Sequence, residues 1–134
     1  MPIDNSINAF KLTNYAIKIA NALHKSLYFV HILNEPLYVK QRNPIFNNRP
    51  STEALSEFYL KDCTDMALNG NVRHAFYSLI YGVPHKKIVS IANGENIAFT
   101  IIGAHGSDNL YNNQLGHTAQ YVSSWSKRSV TIVR

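Results

Sequence analysis

Three glycines in the C-terminal part of the chain have a spacing that suits anion binding. Gly103 follows an apolar run, Gly106 comes three positions later, and Gly116 follows after nine intervening residues. A glycine where a buried strand ends lets the backbone approach a ligand, and Gly106 can adopt a positive φ that turns the chain back. Gly116 stands at the start of a predicted helix, where unpaired N–H groups and the helix dipole favour an anion. The spacing therefore predicts a bed of backbone donors for phosphate, with glycines that only form turns as the alternative.

Histidine and cysteine are the other residue types here that bind metals or act in catalysis. No two histidines have the H-x-x-x-H or H-E-x-x-H spacing of a metal site, and eight carboxylates are available as further ligands. We interpret His31, within an apolar run, as a hydrogen-bonded sheet residue and not as a catalytic base. Cys63 has no activating base nearby in its predicted helix, so we expect an unreactive thiol. We therefore expect no metal site and no catalytic residue; the histidines considered are His24, His31, His74, His85, His105 and His117.

Composition and charge limit the classes of function. With 134 residues, 46% apolar and 16% charged, the chain is expected to form one domain over residues 1–134. Its net charge of +5 raises nucleic acid as a partner, but the basic residues are scattered, so a soluble surface with a modest positive field is the preferred interpretation. Phosphorylated small molecules would also favour such a field. The first ten residues lack the basic and apolar regions of a secretory leader, and no apolar run reaches about 20 residues. We therefore expect a cytoplasmic protein with no membrane partner.

Helical and extended patterns alternate along the chain, as in proteins built from βαβ units. Only Pro2–Asp4 precedes the first helix, so a first strand would be very short. One long loop is expected at Asn34–Pro50, and the second helix is expected to bury Leu55, Tyr59 and Met66. The predicted elements are a helix capped by Ser6, a strand at Leu27–Leu33, a helix capped by Ser51 or Thr52, an extended run at Val72–Ile80, a helix with Pro84 in its first turn, a strand at Ile97–Ile102, a helix from about Leu115 to Trp125, and a strand at Val130–Val133.

Several motifs, taken together, resemble the universal stress proteins of the UspA type. The run IIGAHGSDNLYNNQLGHT resembles their G-x-x-G, nine residues, G-[S/T] pattern, and PIDNS resembles the end of their first strand. Tyr81-Gly-Val-Pro-His85 resembles their G-x-P segment, and all matches occur in the family's order over residues 2–134. The resemblance implies a Rossmann-like α/β fold, with an open parallel sheet of five strands in the order 3-2-1-4-5, helices on both faces and a shortened first strand.

The resemblance also implies a binding site and a function. In an open parallel sheet, ligands bind beyond the carboxyl ends of the strands where the strand order reverses, which is between strands one and four. ATP, ADP or AMP is the expected ligand, with Mg²⁺ as an accompanying ion, and the protein would be a sensor or adaptor in a stress response with at most slow ATP hydrolysis or autophosphorylation. The residues implied to bind the nucleotide are Asp4, Ile32, Gly103, His105, Gly106, Gly116, His117 and Thr118.

Two other functions remain open. His117 stands where binding members of the family have serine or threonine, which favours a dimeric interaction module that binds no nucleotide and contacts a partner through Asn34–Pro50. A nucleotide-dependent transferase or hydrolase is the third candidate, because one fold hosts many chemistries. In every case we expect a homodimer through the edge strand Val130–Val133, as the family resemblance implies.

Overall fold

The computed structural model describes residues 1–34, 51–106 and 114–134. Helices and strands alternate in this part of the chain, as the sequence predicts. Residues 35–50, which make up nearly all of the predicted long loop, lie outside the described residues. The elements are α1 (Asn8–Ala22), β1 (Leu27–Leu33), α2 (Thr52–Asn69), β2 (Ala75–Tyr81), α3 (Pro84–Ala92), β3 (Thr100–Gly103), α4 (His117–Trp125) and β4 (Val130–Val133).

The strands pair in parallel. β1 pairs with β2 along its whole length, and β3 pairs with β4. Pro2 forms a single parallel bridge to Val30, in which the N–H of Ile3 donates to the Val30 carbonyl at 2.9 Å. This segment forms a single bridge and not a longer strand, so a shortened first strand of the sheet stays a prediction. Within the described residues the two strand pairs are separate sheets, so one sheet of five strands stays a prediction.

The buried side chains of β1 pack on two sides. Phe29 belongs to an apolar cluster with Leu60 of α2 and residues of α1. The next residue, Val30, belongs to a second cluster with Ile88 of α3 and Val122 of α4. Because successive strand residues point to opposite faces, helices cover both faces of β1.

The helix starts agree with the sequence in two of three cases. Ser51 caps α2, since its hydroxyl oxygen accepts the Ala54 N–H at 3.1 Å, and Pro84 lies in the first turn of α3. The predicted cap at Ser6 is wrong. The residue before α1 is Ile7, which makes no side-chain cap bond, and the Ser6 hydroxyl donates instead to the Asp4 carboxylate at 2.5 Å.

The buried face of α2 differs from the predicted one. Leu55 is exposed, and Tyr59 and Met66 are only half-buried. The reason is that hydroxyl side chains are buried in their place: Ser56 and Thr64 each donate to the carbonyl four residues earlier, at 2.7 and 2.8 Å. A buried hydroxyl with such a partner carries little desolvation penalty. The buried residues of α2 are Ser56, Leu60, Cys63, Thr64 and Ala67.

The strand β3 is shorter than predicted. Residues 97–99 of the predicted strand precede it, and the N–H of Ile97 closes a turn on the Gly94 carbonyl at 3.1 Å. β3 ends at Gly103, as the sequence predicts, and this placement puts the glycine motif at the strand's carboxyl end. In the part of the chain that the structure describes, no helix combines the length and apolar character of a membrane span.

Candidate functional site

A cavity of about 470 Å³ lies at the carboxyl ends of β1 and β3, between the amino termini of α3 and α4. Its volume is in the range of small-molecule sites. The structure brings together every residue that the sequence nominated for binding, although Asp4 and the glycine motif are far apart in the chain. The nominated residues that line the cavity are Asp4, Ile32, Gly103, His105, Gly106, Gly116, His117 and Thr118.

Gly116 closes the loop that follows β3. Its N–H donates to the Ala104 carbonyl at 2.8 Å, so this amide already has an acceptor within the protein. A Cβ atom at this position would lie 3.2 Å from the same carbonyl oxygen. Because that contact is with backbone, a side chain at Gly116 would push the two ends of the loop apart.

Gly106 lies against the carboxylate of Asp4. A Cβ atom there would lie 3.4 Å from Asp4 Oδ2. The prediction of a positive φ at Gly106 is wrong, since the glycine with a left-handed φ in the described chain is Gly82. A Cβ at Gly106 would make only an ordinary van der Waals contact with Asp4, so this distance shows that the loop lies close to the carboxylate and not that the position requires glycine.

The Asp4 carboxylate is held in place by its own turn. Its Oδ1 accepts hydrogen bonds from the Ser6 N–H at 3.2 Å and from the Ser6 hydroxyl at 2.5 Å. Its Oδ2 is directed toward Gly106. The fixed carboxylate and the glycine loop therefore lie next to each other at the wall of the cavity.

Backbone donors converge on the cavity from α4. Gly116 precedes this helix and has no side chain to cap it, so the first-turn N–H groups of His117, Thr118 and Ala119 have no partner from a capping residue. These three residues all line the cavity. Unpaired donors and the helix dipole together favour an anion at this end of the helix.

Two further polar groups lie at the cavity wall. The Nδ1 atom of His105, a residue that lines the cavity, is buried and has no hydrogen-bond partner among the described residues. The N–H of Leu27 and the carbonyl of Leu33 form hydrogen bonds on the β2 side of β1. Because alternate residues of a strand bond to opposite sides, the N–H and C=O of Ile32 point away from β2 and toward the cavity.

His31 has a structural role, as predicted. Its Nδ1 lies 3.0 Å from the Ile3 carbonyl, and because a carbonyl only accepts, the ring nitrogen is the donor. Burial lowers the pKa of His31 below its usual value, against the opposing effects of the Ile3 hydrogen bond and the Asp4 charge. The neutral ring ties the short first strand to β1.

The His117 side chain is exposed and contacts the start of α3. It packs edge to face against His85, with ring centroids 5.0 Å apart and an interplanar angle of 88°. Tyr121, one turn along α4, lies 4.5 Å from the His85 ring. The sequence did not predict this group, because the contact joins two helices that are distant in the chain.

The sequence considered metal and thiol chemistry as well. The described residues contain no cluster of three or more histidine, cysteine, aspartate or glutamate side chains. Cys63 is buried in α2, and burial raises the pKa of its thiol, so the reactive thiolate is disfavoured.

Comparison with known proteins agrees with this arrangement. The chain matches the model of the universal stress protein family over residues 1–134. It is 36% identical over 56 residues to a universal stress protein of Methanocaldococcus jannaschii, a match that covers 42% of this chain and 35% of that protein. The match thus spans about a third of that relative's length.

Two solved structures share the fold. One is a universal stress protein in complex with cAMP, with a TM-score of 0.74 at 19% identity over 100% of this chain and 93% of that chain. The other is the universal stress protein from Archaeoglobus fulgidus in complex with dAMP, with a TM-score of 0.73 at 15% identity over 99% of this chain and 94% of that chain. With the match over all its residues, this chain belongs to the universal stress protein family.

Proposed function

We propose that the cavity binds ATP or a related adenine nucleotide, AMP or ADP, and that the protein acts as a sensor or adaptor in a stress response. One observation carries this proposal: the Asp4 carboxylate and the first-turn donors of α4 line the same cavity, with the glycine loop between them. The complexes of two structural neighbours with cAMP and dAMP support an adenine nucleotide as the ligand.

Each group has a part in the proposed complex. The outward-pointing backbone of Ile32 reads the edge of adenine, and Asp4 accepts a hydrogen bond from the ribose. The N–H groups of His117 and Thr118 bind phosphate, with Gly103, His105 and Gly106 forming the rest of the bed. Gly116, whose N–H is bonded to Ala104, shapes the loop.

Two features of the cavity wall support this proposal. A Cβ at Gly116 would lie only 3.2 Å from the Ala104 oxygen, and the buried Nδ1 of His105 has no partner among the described residues. Mg²⁺ binds through one or two carboxylates together with substrate phosphates, and Asp4 lines the cavity as a carboxylate of that kind. We expect any ATP hydrolysis or autophosphorylation to be slow.

The test is a search for bound nucleotide. Mass spectrometry of small molecules released from the purified protein should find an adenine nucleotide, and calorimetric titration with ATP and AMP should show saturable binding. If nucleotide neither co-purifies nor binds at millimolar concentration, the interaction module without a nucleotide becomes the better account.

A charge-removing substitution tests the role of Asp4. Asp4→Asn keeps the acceptor for Ser6 but removes the charge, and a hydrogen bond to a charged group contributes about 1.5–3 kcal/mol. We expect ATP to bind roughly tenfold more weakly or worse, as measured by calorimetry. Asp65→Asn, an exposed change on α2, should bind ATP as the wild type does. If Asp4→Asn binds ATP with the wild-type affinity, the Asp4 carboxylate does not contact the nucleotide.

We further propose that the two strand pairs form one sheet in the order 3-2-1-4-5 and that two copies pair through β4. In β4, Thr131 and Val133 face β3, so the N–H of Ile132 points to the outer side. Ile132→Pro removes that donor and should give the monomer mass by light scattering, whereas Ile132→Val should leave the dimer intact. A wild-type protein that is monomeric at micromolar concentration contradicts the pairing.

A further inference from the structure

Two imidazoles meet at the rim of the cavity. His117 occupies the first position of α4 and lines the cavity, and His85 lies in the first turn of α3. Their ring centroids are 5.0 Å apart, and the Tyr121 ring lies near both, with centroid distances of 4.5 Å to His85 and 6.3 Å to His117. Pro84, which precedes His85, also lines the cavity. Two side chains that can each carry a positive charge therefore stand together at the α3–α4 edge of the proposed phosphate bed.

The surroundings of the pair favour an anion over a metal ion. Two imidazoles on one Zn²⁺ would have a similar spacing of roughly 5 Å, but such sites take three or four protein ligands. In residues 1–34, 51–106 and 114–134 no group of three metal-binding side chains exists. Both histidines also lie at the positive ends of helix dipoles, and Lys86 follows His85, so a cation would be repelled.

The charge on the pair depends on what is bound. Partial desolvation lowers the pKa of His85, and the neighbouring His117 and Lys86 lower it further. The other titratable groups around the pair among the described residues are Tyr121 on α4 and, lining or adjoining the cavity, His105 and Asp4. An anion beside the rings reverses the penalty for protonation, because it stabilises both imidazolium ions.

We propose that His85 and His117 recognise the outer phosphates of the nucleotide in their protonated form, so that the site binds ATP more tightly in acid than in alkaline solution and distinguishes ATP from AMP. This inference rests on the nucleotide-binding function proposed above. The histidine in place of a small hydroxyl residue then sets the specificity of the site and its response to pH.

Calorimetry at about pH 6 and about pH 8 tests this inference with ATP, AMP and adenosine. A shift of one pKa unit on binding corresponds to a tenfold change in affinity, so we expect wild-type ATP affinity to be roughly tenfold higher at the lower pH. The ratio of ATP affinity to AMP affinity should also be higher at the lower pH. In His117→Asn and His85→Asn most of this pH dependence should disappear, while adenosine binding is unchanged.

His74→Asn, an exposed change on another part of the surface, is the matched control and should keep the wild-type pH dependence. The change in ionisation of ATP itself is common to all variants, so it cancels in the comparison. NMR titration gives a second measurement: the pKa of His85 should rise when ATP is added.

The outcomes separate this inference from the proposed function. If AMP and ATP bind but the histidine variants keep the full pH dependence of ATP binding, the inference is wrong and the nucleotide site stands. If no nucleotide binds at either pH, both are wrong. If Zn²⁺ binds and His117→Asn abolishes that binding while ATP affinity is unaffected, the pair is a metal site and the inference is also overturned.

Discussion

At the scale of single residues, the proposed site depends on main-chain geometry more than on side-chain chemistry. The Ala104 carbonyl holds the Gly116 N–H, and the Asp4 carboxylate lies against Gly106. At Gly116 a Cβ would lie only 3.2 Å from the Ala104 oxygen, so this contact is tight against any side chain. Replacing Gly116 by a residue with a side chain should therefore weaken nucleotide binding.

Gly116→Val tests this dependence. The new side chain would press on the Ala104 carbonyl, whose oxygen lies 3.2 Å from the Cβ position, and would displace the loop. We expect ATP binding to fall below detection in calorimetry, with a circular-dichroism spectrum that is nearly unchanged because the loop contributes little to it. Gln114→Val places the same residue at an exposed position of the loop and should bind normally. Retained binding in Gly116→Val contradicts the proposed bed of donors, and loss of the fold would show that the glycine serves packing.

Single residues also show which parts of the site the sequence could predict. The eight residues that the glycine spacing and the family resemblance nominated for binding all line one cavity. The pairing of His85 with His117 could not be predicted, because it depends on how α3 and α4 pack. Likewise Ser6 has the residue type of a helix cap, but the nearby Asp4 carboxylate competes for its hydroxyl.

At the scale of the elements, the positions of strands and helices follow from local pattern, while the buried face of α2 does not. Apolar runs predicted β1 and β4, and Pro84 predicted the start of α3. The pattern of apolar residues failed for α2, because its buried side includes Ser56 and Thr64, whose hydroxyls find acceptors within the helix. These hydrogen bonds depend on the helix geometry, so the pattern of apolar residues in the sequence does not predict them.

The cap of α2 gives a prediction at this scale. Ser51→Ala removes the acceptor for the Ala54 N–H and should lower the free energy of unfolding by about 1 kcal/mol, as measured by urea denaturation. Ser51→Asp keeps an acceptor at the cap and adds a charge that suits the helix dipole, so it should be as stable as the wild type. If alanine and aspartate give the same stability, the cap contributes nothing.

At the scale of the whole molecule, folding stability should depend on pH through His31. Burial lowers the pKa of His31 in the folded protein, so the unfolded chain takes up the proton more readily. The stability that the neutral ring provides is therefore complete above the unfolded pKa of about 6.5 and is lost as the pH falls below it.

Thermal melts between about pH 5.5 and about pH 7.5 measure this effect. The melting temperature of the wild type should fall toward acid, and His31→Gln, which keeps a donor for Ile3 without titrating, should show a smaller fall. Burial lowers the pKa of the Met1 amine to about 5, so this group also makes the melting temperature fall toward acid. Its effect is the same in both proteins and cancels in the comparison. His74→Gln, at an exposed position, is the control. An equal slope in His31→Gln would show that another group causes the acid sensitivity.

The most direct test of the account as a whole is to locate the nucleotide on the protein by NMR. In a titration with AMP or ATP, the backbone amide signals of Gly103–Gly106 and His117–Ala119 should shift together and saturate, while those of β2, which lies away from the cavity, should stay in place. Shifts centred on any other surface, or no shifts at millimolar nucleotide, would contradict the claim that the loop after β3 and the start of α4 hold the phosphates opposite Asp4.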